Sequence, residues 1–304
     1  MLEKILGDKL KKNVLLRNFS TLKVGGKAKY FFKAEKIEDL IEAVLVAKKY
    51  KNKYLVLGSG SNVVIGDKGF DGLVILNRTS NISFLLDKSQ VIVDSGVMLM
   101  RLIAESAENN LGGLETLFGI PGTIGGAIYG NAGANKLQIN QFIKSLTLLD
   151  TSGKIIRCSS KWLRSGYRTT KIKQLKDQKK ETPIILTAKL QLMPAKKDVI
   201  INKMQYWQKI RIEKQPYDKF TCGSVFKNPG DGVAGSAGYI IDNCGLKGEQ
   251  IGNARVSPKH ANFIENIKGE SNADEIKLLI NNIKQKITEE KKIKLEEEIE
   301  YIGE

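Results

Sequence analysis

The sequence predicts a mixed α/β or α+β protein of two or three modest domains. Three observations predict it. Short apolar runs of strand length alternate with amphipathic stretches of helix length. The chain has 304 residues, too many for one small core. Its character also changes around Met193-Pro194, where a lysine-rich helical stretch begins.

Taken in order, Glu38 to Tyr50 has the three-and-four spacing of an amphipathic helix. Tyr54 to Leu57 is an apolar strand that runs straight into Gly58-Ser59-Gly60-Ser61-Asn62. Leu73 to Leu76 and Val91 to Val93 are further strands, and Leu99 to Asn110 is a helix ending before Gly112-Gly113. A glycine-dense run then extends from Gly119 to Gly133. Ser145 to Asp150 and Lys154 to Cys158 flank Thr151-Ser152-Gly153 as a hairpin. Ile184 to Leu192 is another strand. Beyond Pro194 a helix spans roughly Val199 to Lys214, closed by Pro216. A last long helix starts after Ser271, with Asp274 as a capping-box signal. Leu295 to Ile302 reads as a terminal strand.

Composition narrows the function class. Hydrophobic residues make up 41% of the chain, enough for packed interiors. No apolar run approaches the roughly 20 residues needed to cross a bilayer. The first ten residues mix charge throughout and lack a signal core, so a cytoplasmic location without membrane insertion is expected. Cys158, Cys222 and Cys244 are too sparse for a disulfide framework and offer no CxxC metal pair, so reduced thiols and no metal are expected. The net charge of +16 arises from 49 basic and 33 acidic residues. It is mostly lysine spread along the chain. The densest stretch, Lys171 to Lys180, has no interleaved aromatics, so a solvated surface is expected and not a nucleic-acid site. Positive potential would also draw in phosphorylated small molecules.

The glycine runs point to a ligand. Small residues in Gly58-Ser59-Gly60-Ser61-Asn62 let backbone N–H groups approach an anion. The run lacks both dinucleotide GxGxxG spacing and a P-loop lysine. The run Gly119-Ile120-Pro121-Gly122-Thr123-Ile124-Gly125-Gly126-Ala127-Ile128-Tyr129-Gly130-Asn131-Ala132-Gly133 is more telling. Glycine costs roughly 0.5–1 kcal/mol relative to alanine in regular elements. Such density among aliphatic neighbours implies backbone pressed against a planar or diphosphate ligand.

These two runs resemble those of the UDP-N-acetylenolpyruvoylglucosamine reductase (MurB) family. Further motifs occur in the family's order: Thr21 to Gly26, Gly166-Tyr167-Arg168, Cys222-Gly223-Ser224-Val225-Phe226-Lys227-Asn228-Pro229, Leu246 to Gly252, Val256 to Phe263 and Leu295 to Ile299. The spacer from Pro229 to Ala237 leaves no room for a tyrosine-bearing insertion, which resembles the shorter type II subgroup. The chain departs from the family pattern at Asn135-Lys136 and at Thr169-Thr170.

The resemblance implies an α+β fold. It would comprise a two-lobed FAD-binding domain of the vanillyl-alcohol-oxidase (PCMH) type and a C-terminal α/β substrate-binding domain. The expected segments are 1–23 at the N-terminus, 24–193 for the flavin domain, divided near 80, and 194–304 for the C-terminal domain. It also implies non-covalent FAD, NADPH as co-substrate, a UDP-sugar substrate and a monomer. Gly58, Ser59, Gly60, Ser61, Asn62, Gly119, Ile120, Pro121, Gly122, Gly125, Gly126, Asn131, Ala132 and Gly133 would hold the cofactor. Tyr167, Lys227, Asn228 and His260 would contact substrate.

Reducing an enol ether requires hydride at one carbon and a proton at the other, with negative charge between the two steps. By resemblance, Ser224 is the proton donor, Arg168 stabilises the enolate and Glu298 polarises the substrate. Read without the family, Ser224 would satisfy backbone in its turn and Arg168 would form a surface ion pair. Period-two alternation would likewise leave Glu296, Glu298 and Glu300 solvated. The lone His260 would be a structural hydrogen-bonder, and Trp162 and Trp207 would be core. Two alternatives compete: another flavoenzyme of the same fold, such as an alcohol or sugar oxidase, and a basic nucleic-acid-binding protein.

Overall fold

The computed structural model describes residues 2–303. It divides into two compact units, neither of them continuous in sequence. One runs to Leu10 and takes Phe32–Ser59 and Val74–Ile210; the other takes Lys11–Phe31, Gly60–Leu73 and the chain from Arg211 onward. The chain therefore changes unit five times, whereas the sequence suggested consecutive segments cut at 23, near 80 and at 193.

The first unit is built on a five-stranded sheet in the order Ile155–Ser159, Ile143–Leu149, Ile184–Gln191, Gln90–Asp94, Ile82–Leu85. Every neighbouring pair is antiparallel. The expected hairpin is present, with Leu149 opposite Ile155. Val91, Val93, Leu146, Leu148, Ala188 and Leu190 bury one face of this sheet. Helices Leu99–Glu108 and Ile124–Tyr129 contribute Leu102, Ile103, Ile124 and Ile128 to the same core. Helix Ile37–Lys49 begins where the Asp39 carboxylate accepts the backbone N–H groups of Glu35 and Lys36.

A four-stranded sheet has the order Leu10–Leu15, Lys27–Ala34, Phe70–Asn77, Tyr54–Leu57, and three of its strands contain a unit boundary.

The second unit is centred on helix Ala273–Lys291, whose Ile276, Leu279, Ile280, Ile283 and Ile287 are buried. A small antiparallel sheet, Gln250–Ile251, Ala254–Val256 and Ile264–Asn266, and helix Ala237–Asn243 share its core. Val63–Ile65 pairs in parallel with Glu300–Ile302.

The centre of the Gly119–Gly133 run is the Ile124–Tyr129 helix. Three expectations need correction. The terminal strand covers only Glu300–Ile302; residues before it make a single bridge, Glu297 to Phe226. The last helix is capped by Asn272, whose side chain accepts from the Glu275 N–H. The Lys171–Lys180 stretch is not simply a solvated face. Lys173 is buried, and the Lys171 and Lys176 ammonium groups lie 4.4 and 5.7 Å from the ring centroids of Trp162 and Tyr129. The three cysteines are free thiols, as expected. Among the described residues no helix is long and apolar enough to cross a membrane.

Candidate active site

The loop after strand Tyr54–Leu57 is built by chain packing before any ligand is considered. In the first unit a Cβ on Gly58 would lie 2.6 Å from Thr123 Oγ1. In the second unit Gly60 has φ +65°, and a Cβ there would meet the Phe19 carbonyl at 2.1 Å. Asn62 donates from Nδ2 to the Glu298 carbonyl at 3.0 Å, and its own carbonyl accepts from the Glu300 N–H. Asn62 thus fixes the terminal segment rather than presenting its amide to solvent.

The second glycine run shows two kinds of glycine. Gly125 and Gly133 are demanded by the chain, with added Cβ atoms 3.0 Å from Ser95 Cβ and 2.5 Å from the Leu137 carbonyl. Gly119 and Gly122 have φ of +87° and +151°. Gly126 and Gly130 differ, since a Cβ at either would meet nothing closer than 3.6 Å and 3.7 Å. They stand one turn apart on the helix that Thr123 caps by accepting the Gly126 N–H. Ile120 packs partly into the core, while Pro121 is exposed. Asn131 is buried with φ +47° and is fully used within the chain. Its Nδ2 donates to Gln138 Oε1 (2.6 Å) and to the Gly166 carbonyl (2.8 Å), and its Oδ1 accepts from the Asn140 N–H. The Ala132 backbone is likewise bonded to Ala127 and Ile139.

Arg168 sits in a tight turn of the first unit, closed by reciprocal Gly166–Thr169 backbone bonds. Its φ is +53°, a conformation that costs a non-glycine residue about 1–2 kcal/mol. The surroundings hold it there. Asn131 grips the Gly166 carbonyl, and Arg168 Nη2 donates to the Gly133 carbonyl at 2.8 Å. Arg168 also lies 5.4 Å from the centroid of the exposed Tyr167 ring. Strain of this kind collects where a side chain must be aimed. Arg168 is half-buried and tied to backbone by its Nη2, where a fully exposed side chain would be expected of a surface ion pair.

Ser224 and Glu298 belong to the second unit. Residues 225–227 pair with 296–298: the Glu298 N–H donates to the Val225 carbonyl, and the Lys227 N–H to the Glu296 carbonyl, both at 2.8 Å. Ser224 therefore abuts the Glu298 backbone, although 74 residues separate them (298 − 224). Among the described residues the half-buried Ser224 hydroxyl has no hydrogen-bond partner, so it does not serve its own turn. Glu298 is half-buried, not solvated.

The expected substrate contacts are partly engaged elsewhere. Lys227 Nζ pairs with the Glu296 carboxylate. Asn228 Oδ1 accepts the Ala237 N–H. His260 is wedged against Gly238, where a Cβ would lie 2.8 Å from its ring, and makes an edge contact with Phe263. Its Nδ1 accepts the Asn262 N–H at 3.2 Å, which requires an unprotonated nitrogen. Burial holds its pKa below the ordinary histidine value. The unfolded chain therefore takes up this proton first. Stability is full above about pH 6.5 and is lost as pH falls from there through the folded pKa. His260→Gln should flatten that acid limb in urea unfolding measured between about pH 5 and 8; an unaltered limb would assign the loss to other groups.

Two family models match the chain. One described as the UDP-N-acetylenolpyruvoylglucosamine reductase C-terminal domain matches residues 215–302, and one described as an FAD binding domain matches residues 28–159. The UDP-N-acetylenolpyruvoylglucosamine reductase of Caldicellulosiruptor saccharolyticus is 36% identical, covering 95% of this chain and 90% of its own length. That of Bacillus subtilis is 35% identical, covering 96% and 93%. The crystal structure of the MurB reductase from Thermus caldophilus superposes with a TM-score of 0.79 at 30% identity, covering 97% of this chain and all of that one. This chain belongs to the UDP-N-acetylenolpyruvoylglucosamine reductase family. It is a flavin-dependent reductase, and the expected α+β class, a PCMH-type FAD-binding domain with the family's C-terminal domain, is borne out.

The residues fit FAD. The Gly126 and Gly130 face is bare backbone that no neighbour in the chain requires to be bare, which is the surface a flat cofactor needs. This separates two kinds of substitution. Gly126→Ala should stabilise the flavin-free reductase by up to about 1 kcal/mol, because alanine favours helix. It should also weaken FAD binding in a fluorescence titration. Unchanged FAD affinity would remove this face from the cofactor site.

Three contributors escaped sequence reasoning. Arg78 Nη1 donates to the Gly58 carbonyl, Thr123 caps the short helix, and Asn262 clamps the residues after Ser224. Asn262 lies within the Val256–Phe263 motif, but only its long-range pairing with Phe226 reveals its task.

Proposed function

We propose that this reductase converts UDP-N-acetyl-3-O-(1-carboxyvinyl)glucosamine to UDP-N-acetylmuramate, a peptidoglycan precursor, as a member of the shorter type II subgroup. The observation that carries the reading is the Ser224 hydroxyl, unspent by its turn and adjacent to the Glu298 backbone. FAD held by these residues would supply the hydride, with NADPH as its source. Ser224 delivers its proton to the carboxylate-bearing carbon of the enolpyruvyl group, leaving the saturated lactyl ether. A serine hydroxyl is a weak acid in water, but the carbanion-like acceptor is strongly basic and the half-buried position limits competing water. Arg168, pre-set by its turn, offers a planar guanidinium to the substrate carboxylate as charge develops. Glu298 polarises the substrate from beside Ser224. Glycine backbone of the Gly58–Asn62 and Gly119–Gly133 runs holds the cofactor. Both co-substrates are cytoplasmic solutes, so the reaction belongs there.

The purified protein should be yellow and release FAD on heating. With the enolpyruvyl substrate, one NADPH should be consumed per UDP-N-acetylmuramate formed. A flavin-free protein that added FAD cannot reconstitute would end this reading.

A further inference from the structure

Arg78 follows strand Phe70–Asn77 in the first unit and is half-buried. Its Nη1 donates to the carbonyls of Gly58 (2.9 Å) and Asn77 (3.1 Å). Among the described residues no carboxylate pairs with it, and its Nε and Nη2 have no partner. Desolvation alone lowers its pKa, with no acidic neighbour to offset it. A cation held partly out of water without a counter-charge is costly. Bonding the Gly58 carbonyl does not justify it, since a neutral donor would serve.

The surroundings indicate what the charge awaits. The Gly58 position abuts Thr123 Oγ1, and that oxygen caps the helix whose Gly126 and Gly130 leave bare backbone. Contacts therefore run from Arg78 through Gly58 and Thr123 to the open glycine face, all within one unit.

We propose that Arg78 binds the diphosphate of the dinucleotide cofactor, its unspent N–H edge giving the charge-assisted bonds that glycine backbone cannot. A guanidinium presents two parallel donors to a phosphate, which lysine approximates only as a point charge. The proposal rests on the FAD reading above.

The test is equilibrium titration of the flavin-stripped, full-length protein with FAD at several salt concentrations. Arg78→Met and Arg78→Lys are compared with the wild type, and apo-protein melting shows that each variant is folded. Arg78→Met should lose about tenfold or more in FAD affinity. Arg78→Lys should lose clearly less, and the salt dependence of binding should be shallower for Arg78→Met than for the wild type. Wild-type affinity in Arg78→Met would overturn the proposal. Equal losses in both variants with unchanged salt dependence would also overturn it, by making Arg78 a clamp on Gly58. If wild-type protein itself fails to bind FAD, the cofactor reading fails instead.

Discussion

Ser224→Ala is expected to leave flavin reduction by NADPH unchanged and to slow reoxidation by the enolpyruvyl substrate on the order of 10²–10⁴-fold. The two half-reactions are separable by stopped-flow absorbance. Removing Oγ breaks no hydrogen bond among the described residues, because the hydroxyl has no partner there. The position is half-buried, so no buried polar group is orphaned and the stability change should stay within about 0.5 kcal/mol. A purely structural role for Ser224 would therefore predict no kinetic effect at all. The nearby thiol cannot take over. Cys222 is buried in the second unit's core, and burial pushes its pKa up to about 12. Equal loss in both half-reactions would remove Ser224 from proton delivery.

Local signals in the sequence were reliable where one segment decides its own structure. Tyr54–Leu57 is the strand its apolar run suggested, and Ile37–Lys49 is the helix its spacing suggested. The hairpin at Thr151-Ser152-Gly153 likewise needs only its own residues. Failures came where distant segments decide. The parallel pairing of Val63–Ile65 with Glu300–Ile302 leaves no local trace, and the terminal strand is shorter than the apolar alternation from Leu295 suggests. The units interleave for the same reason, since contacts and not chain order define them. Glycine density has two origins here. Packing against Thr123, Phe19, Ser95 and Leu137 already requires Gly58, Gly60, Gly125 and Gly133, whereas no neighbour in the chain requires glycine at Gly126 and Gly130. For the reacting groups, periodicity alone favoured solvent for Glu298 and a turn for Ser224. Only motif order pointed to their chemistry, and the 225–227 to 296–298 pairing supplies the physical link between these two.

That pairing depends on a residue whose loss should be the most damaging to the fold. Phe226 has its neighbours' backbone bonded to residues 296–298, while its own N–H and carbonyl turn to the Asn262 side chain at 2.9 and 2.8 Å. The Asn262 amide thus completes a ladder where no strand is available. Both residues are buried. Asn262→Ala leaves two buried backbone groups without partners, at about 1–3 kcal/mol each, so a loss of about 2–6 kcal/mol is expected in urea unfolding of the full chain. Typical total stabilities are about 5–15 kcal/mol, so this single change brings the protein near its limit. Asn262→Asp keeps the acceptor for the Phe226 N–H but sets a carboxylate against the Phe226 carbonyl. It should fall between wild type and alanine in stability. Because Phe226 is two residues from Ser224, the aspartate variant should also slow reoxidation more than reduction. If Asn262→Ala unfolds within about 1 kcal/mol of wild type, water or a shifted backbone must satisfy Phe226, and the ladder that sets Ser224 beside Glu298 does not depend on this side chain.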